Sequence, residues 1–261
     1  MRRLDEYLIA PDLTVSRQVR YWRGLRLALH LARGVLTAAL IFPFCGVKQR
    51  AALIRHWSSR LLAILHIRLQ INGETPPGTG HLLLANHISW LDIYALFACV
   101  PQRFVAKSEV ASWPVIGFLC RRAETIFIER RRQRDALRVN AQIREALQQG
   151  QNVTIFPEGT TSDGRIIKPF RSPLLQAGLD HEAVIQPVLL HYTDEYGRLS
   201  PAVAYVDEVS LGESIARILA TRQLIVEVHF LPARQANGMD RRQLARELEN
   251  ELATKLYQIS R

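Results

Sequence analysis

Asn86-His87-Ile88-Ser89-Trp90-Leu91-Asp92 brings a histidine and an aspartate into one short segment, directly after the apolar run 81–85. An imidazole held by a carboxylate can take the proton of an alcohol, because the carboxylate fixes the useful tautomer and stabilises the charged ring. Such a pair needs no serine or cysteine nucleophile when the substrate itself brings the hydroxyl. The two residues stand five positions apart, and at about 100° per residue they do not share a face of a regular helix. They meet only if His87 lies in the turn before a helix and Asp92 in its first turn. Ser89 is the expected N-cap, which puts Asp92 at the third helical position. The same letters also spell a capping box, Ser89-x-x-Asp92, with His87 an ordinary loop residue.

A second constellation, Phe156-Pro157-Glu158-Gly159-Thr160-Thr161-Ser162-Asp163-Gly164, closes the strand-like run 153–156. In open α/β sheets ligands gather beyond the carboxyl ends of strands. Gly159 lets a ligand approach the backbone, and Thr160 with the hydroxyls and amides after it can bind an oxyanion. Alternatively, Asp163-Gly164 makes a plain turn and the hydroxyls bond locally. A third run, Glu124-Thr125-Ile126-Phe127-Ile128-Glu129-Arg130, is another strand ending in charge. Arg130 there can hold a phosphate bidentately. Arg131, Arg132 and Arg134 read as a solvated helix start or a membrane-facing basic patch. Lys107, after the run 103–106, is a similar candidate to Arg130.

The elements that must position these residues alternate. Strands are expected at 67–71, 81–85, 102–106, 124–128, 152–156, 183–190, 202–206 and 223–230, all short and rich in Val, Ile and Phe. Helices are expected at 90–99, 113–121, 131–149, 169–178 and, basic and amphipathic, 240–259. This alternation predicts an α/β domain over 68–261 with a largely parallel or mixed sheet. Residues 1–67 read as a separate helical region, with an amphipathic second helix over 49–66. The Gly-, Pro- and Thr-rich segment 72–80 reads as a linker.

The chain has 261 residues and a formal net charge of +10, so its partner is expected to be anionic. Nucleic acid is disfavoured, because no zinc-finger spacing, helix-turn-helix or RNA-binding aromatic signature is present. The apolar run 25–47 is interrupted by Arg26, His30 and Arg33, and its clean part contains Pro43. Both flanks are basic, which suits two helices dipping into one leaflet better than an oriented span. The run begins too far from Met1 for a cleavable signal peptide. Cys45, Cys99 and Cys120 are scattered among apolar residues and read as buried thiols of a reducing compartment. Neither HExxH nor paired CxxC occurs, so no metal is expected.

Asn86-His87-x-x-x-x-Asp92, Phe127-Ile128-x-Arg130, Phe156-Pro157-Glu158-Gly159-Thr160 and Ile185-Gln186-Pro187-Val188 stand in the order and rough spacing of the glycerolipid acyltransferases. Over about 65–215 the chain resembles the bacterial 1-acylglycerol-3-phosphate members of that family. The resemblance implies a mixed sheet flanked by helices, with an N-terminal membrane-associated helical pair. It also implies transfer of a fatty acyl group from acyl-CoA or acyl carrier protein to a lysolipid hydroxyl, without a cofactor, at the cytoplasmic face of the bacterial inner membrane. In that scheme His87 is the general base and Asp92 orients it. Arg130, Glu158 and Gly159 hold the acceptor's polar head, and Pro187 shapes the site from a neighbouring strand. Direct attack implies no acyl-enzyme and a donor for the tetrahedral oxyanion, which the resemblance leaves unnamed. One departure concerns the acceptor. Many phosphatidate-forming members carry a basic residue where this chain has Thr161, and the wording around Ser89 and Thr161 also resembles acyltransferases that finish ornithine lipids. Arg165, Lys168 or Arg171 are the candidates for the missing charge.

Two other classes compete. A serine hydrolase needs a GxSxG elbow, which is absent. A non-catalytic membrane-surface protein accounts for the N-terminus and the charge, but gives no reason for His87, Asp92 and Glu158 at strand ends.

Overall fold

The structure, a computed structural model, describes residues 13–75, 78–129, 133–180, 183–206, 209–235 and 238–260. Its first helix, α1 (Arg17–Leu36), starts at Ser16, whose hydroxyl accepts the Val19 amide at 3.4 Å. The helical path continues through a wide π-type turn, Thr37–Ile41, and a tight 3₁₀ turn, Phe42–Phe44. Pro43 explains the break: its ring opposes the carbonyl four residues back, and it has no amide to donate. α2 (Val47–Ile64) then returns against α1. Their approach is close at Gly34, where a Cβ would come within 2.6 Å of the Trp57 indole nitrogen. The helical run 17–44 is long and apolar enough to cross a membrane, by length and composition.

The sheet contains β1 (Ile67–Asn72), β2 (Leu82–Ala85), β3 (Arg103–Lys107), β4 (Ile126–Ile128), β5 (Val153–Ile155), β6 (Val184–Asp194), β7 (Leu224–Phe230) and β8 (Arg234–Gln235). Its order is β1-β7-β6-β2-β5-β3-β4, with β8 on β6. β2 to β6 run parallel, whereas β7 is antiparallel to β6 and carries β1 parallel to itself. The mixed sheet expected from the alternation is therefore present. The intervening helices are α3 (Leu91–Cys99), α4 (Pro114–Arg122), α5 (Gln133–Gln148), α6 (Gln176–Asp180), α7 (Leu211–Ala220) and α8 (Arg241–Ile259).

β2 explains its own uniformly apolar sequence. Leu83 and Ala85 face a core shared with Leu61, Leu62 and Leu65 of the helical hairpin and with Leu91, Ala95 and Leu96 of α3. Leu82 and Leu84 face Val139 and Ile143 of α5 and Leu244 and Leu248 of α8. Covered on both faces, the strand has no polar side to show.

Three expectations need correction. Residues 202–206 form no strand: Pro201–Val203 is a 3₁₀ turn, and the Tyr205 amide donates to Ile88 O at 3.0 Å, so its backbone bonding goes to a loop. The helix expected over 169–178 begins only at the 3₁₀ turn Pro173–Leu175, because the amides of Phe170 and Arg171 are committed to Glu249 and Pro157. Of the three cysteines, all free, only Cys99 is buried; Cys45 and Cys120 are half-buried.

Candidate active site

The carboxyl end of β2 is extended by a side chain. The Asn86 amide donates to Leu190 O at 3.0 Å and accepts from Leu190 N at 2.7 Å, continuing the β2–β6 ladder one step beyond the strand. This fixes the chain where it turns into His87. The His87 amide donates to Glu158 Oε1 at 2.8 Å, and its carbonyl accepts from Ser162 N at 2.7 Å.

His87 Nδ1 and Asp92 Oδ2 lie 2.7 Å apart. The same oxygen accepts the amides of Ile88 and Ser89 at 2.7 and 2.9 Å, while Oδ1 accepts the Tyr192 hydroxyl at 2.8 Å. An ionised carboxylate only accepts, so Nδ1 carries the hydrogen and Nε2 keeps its lone pair. Burial, with Asp92 beside it, pushes the Tyr192 hydroxyl well above its ordinary range, so it stays a donor. Phe156 stacks on the imidazole with centroids 4.0 Å apart. The ring is thus clamped on its face and at one nitrogen.

The capping geometry differs from the one expected. Trp90, not Ser89, is the N-cap and uses no side-chain bond; Asp92 occupies the second helical position. The Ser89 hydroxyl is buried without a partner among the described residues. Asp92 itself reaches backward to the amides before the helix, so the capping and histidine-binding alternatives coexist in one carboxylate. The Trp90 indole anchors this helix start on Ser214 Oγ of α7 at 3.0 Å.

Glu158 sits beneath the same turn, 3% exposed. Beyond the His87 amide it accepts Lys168 N at 3.1 Å. Burial pushes its carboxyl up to about 7; the two amides and the Lys168 ammonium pull it down, and Asp92 adds to the rise. The folded chain therefore keeps this proton between its ordinary value of 4.5 and about 7, where the unfolded chain has lost it. Stability is then fully present below 4.5 and falls as pH rises through that window. Urea unfolding of the wild type is expected to lose about 3 kcal/mol relative to Glu158→Gln between pH 4 and pH 8. A difference that does not change with pH rules this out.

The loop after β5 is shaped by Gly159, whose φ is +70° and where a Cβ would meet Arg171 at 3.2 Å. The Thr161 hydroxyl bonds Tyr205 O, across to the segment after Pro201–Val203, and Lys168 Nζ donates to Thr161 O at 2.6 Å, so both are engaged within the protein. Beside it opens a cavity of about 480 Å³, walled by Phe156, Pro157 and Gly159 and bearing the side chains of Arg171 and Arg241. Val105 in the middle of β3 and Ile128 at the end of β4 line it as well.

The structure brings His87, Asp92, Glu158 and Gly159 together. Thr160 is exposed on the loop, and Lys107 is exposed at the end of β3, outside the cavity lining. Pro187 is buried within β6, level with Leu84, and its carbonyl accepts Leu231 N at 3.0 Å. Arg130 lies outside the described residues. Tyr192 and Arg241 escaped the sequence reading. Nothing local marks Tyr192 among the apolar residues of β6, and Arg241 reads as one more charge on a basic helix.

A family model described as Acyltransferase matches residues 66–191. The chain is 39% identical over 193 residues to the 1-acyl-sn-glycerol-3-phosphate acyltransferase of Neisseria gonorrhoeae, covering 73% of this chain and 75% of that one. It is 34% identical over 208 residues to the lyso-ornithine lipid O-acyltransferase of Pseudomonas aeruginosa, covering 80% of each. The crystal structure of the 1-acyl-sn-glycerophosphate (LPA) acyltransferase PlsC from Thermotoga maritima superposes with a TM-score of 0.68 at 15% identity, over 92% of this chain and 95% of that one. With relatives at this identity matched along most of their length, and with the His87–Asp92 pair inside the matched span, the chain belongs to the acyltransferase family.

Proposed function

We propose that this lysolipid acyltransferase moves a fatty acyl group from an acyl thioester to the free hydroxyl of 1-acylglycerol 3-phosphate, giving phosphatidic acid for phospholipid biosynthesis. His87 Nε2 takes the hydroxyl proton while the alkoxide oxygen attacks the thioester carbonyl. The tetrahedral intermediate then expels the thiolate, which recovers the proton from the imidazolium. Asp92 holds the ring and steadies its charge. The observation that carries the acceptor assignment is the cavity walled by Phe156, the ring stacked on His87, where Arg171 and Arg241 offer guanidinium groups suited to a phosphomonoester. Arg171 packs at Gly159, two residues before Thr161, and brings a basic side chain to this loop. The donor is acyl-CoA or acyl carrier protein, and neither metal nor cofactor enters the scheme.

A second reading, O-acylation of lyso-ornithine lipid, is favoured by Thr161 and by the relative in Pseudomonas aeruginosa. Competition between the two lysolipids for one thioester donor separates them. Lysophosphatidic acid is expected to be acylated preferentially, and Arg171→Ala to raise its KM about tenfold through loss of a charge-assisted contact. Exclusive labelling of the ornithine lipid overturns the first reading and leaves acyl transfer intact.

Exposed Trp22, Leu29, Leu36, Leu40 and Phe44, the last 88% exposed, support seating of the helical pair in one leaflet at the cytoplasmic face of the inner membrane. Replacing Leu36, Leu40 and Phe44 with serine is expected to release the protein from lipid vesicles by at least about tenfold, since each side chain contributes about 1.5–3 kcal/mol when buried. Unchanged partitioning places the anchor elsewhere.

A further inference from the structure

Away from the acyl-transfer site, α1 and α2 face each other across a cleft of about 380 Å³ lined by Arg26, His30, Arg33, His56, Arg60 and Ile64. On α1 the basic residues fall at i, i+4 and i+7, and on α2 at i and i+4, so each helix turns one basic row toward the other. No aspartate or glutamate occurs anywhere between residues 13 and 73. Burial pushes the His30 imidazole below its ordinary value; the Trp57 carbonyl opposes this, and Arg33, His56 and Arg60 add to it. Among the described residues, each side chain that acts on His30 in this way is basic.

The frame of this cleft is built. The His30 and Trp57 rings stack with centroids 4.6 Å apart, and each ring nitrogen bonds the other residue's carbonyl, at 3.0 and 3.2 Å. With Nε2 of His30 donating to Trp57 O, the ring is fixed in the wall of the cleft. Gly34 permits the close approach of the indole that locks this pair. Like charges held together at this spacing cost free energy unless an anion joins them. Beside the basic row of α1 runs a row of exposed leucines, Leu25, Leu29 and Leu36.

We infer that the α1–α2 cleft is a second anion site, separate from the acyl-transfer site, that binds a phosphate ester. Guanidinium forks from both helices match phosphate oxygens, and the adjoining leucine row suits the tails of a phospholipid whose headgroup enters the cleft. The cleft then makes one specific lipid contact within the broader leaflet seating. It does not depend on which lysolipid the active site accepts.

The test uses the purified full-length chain in an uncharged detergent, titrated calorimetrically with dihexanoyl phosphatidylglycerol and, separately, with inorganic phosphate. The triple variant Arg26→Gln, Arg33→Gln, Arg60→Gln is compared with Arg17→Gln, Lys48→Gln, Arg68→Gln, which removes the same charge outside the cleft. The cleft triple is expected to weaken binding at least about tenfold, the loss for one charge-assisted contact, while the control triple stays near wild type. Arg33→Lys, which keeps the charge and the fold, is expected to restore only part of the affinity lost by Arg33→Gln. Tighter binding of the phospholipid than of phosphate supports the cleft as a headgroup site. Equal binding, lost in the cleft triple, supports it with soluble phosphate esters as the source. Equal weakening in both triples, or no saturable binding by the wild type, overturns it. Retained acylation by the cleft triple keeps this outcome distinct from the fate of the proposed reaction.

Discussion

His87→Ala is expected to turn over about 10²–10⁴-fold more slowly than the wild type, the usual loss when a positioned base is removed. The fall should appear in kcat, with the acceptor KM little changed, because the imidazole contributes to the moving proton more than to holding the lysolipid. Stability should barely move. The side chain is 18% exposed, and the bonds that tie this residue to Glu158 and Ser162 come from its backbone, which alanine keeps. Thermal unfolding alongside a thioester assay with saturating acceptor measures both. Near-normal turnover by the folded variant rules out the base assignment, whatever the acceptor.

Asp92 should behave differently, because its carboxylate is fully buried and serves four donors. Asp92→Ala leaves the Ile88 and Ser89 amides and the Tyr192 hydroxyl without their acceptor, at about 1–3 kcal/mol each. It also frees the imidazole to rotate or change tautomer, so kcat is expected to fall about 10²–10⁴-fold as well. Asp92→Asn keeps the shape but loses the charge that favours the imidazolium, and should recover stability before activity. Tyr192→Phe removes one bond and none of the charge, and should cost the least. Chemical denaturation with steady-state rates on the three variants orders them. Activity in Asp92→Ala equal to the wild type, or no loss of stability, sinks the account.

The contact between His87 and Asp92 was legible because its geometry is local. A separation that forbids a shared helix face forces a turn-then-helix, and that is how His87 and Asp92 meet. The central strand was legible for a similar reason, since four apolar residues between turn signals mark a strand covered on both faces. Tyr192 was not, because its partner lies a hundred positions away and a phenol in an apolar strand reads as packing. Residues 202–206 have strand-forming side chains, yet their backbone serves the loop at Ile88, a tertiary demand that propensity does not encode. α7 did carry a signal that went unread. Ser210 and Glu213 form a capping box before an amphipathic turn, with the serine hydroxyl accepting Glu213 N at 3.2 Å and Glu213 accepting Ser210 N at 2.8 Å. β8, at two residues, is too short for any periodicity to mark.

The backbone bonds from His87 to Glu158 and Ser162 make the turn that carries His87 and the loop after β5 a single mechanical body. Grafting that loop from a relative therefore moves His87 as well as the cavity wall. Chimaeras confined to residues 157–168 inherit a specificity and a misplaced imidazole together. The smallest transferable unit is the pair of segments, 86–92 with 156–168, so exchanges between acyltransferases of different lysolipids are best designed as two-piece transplants.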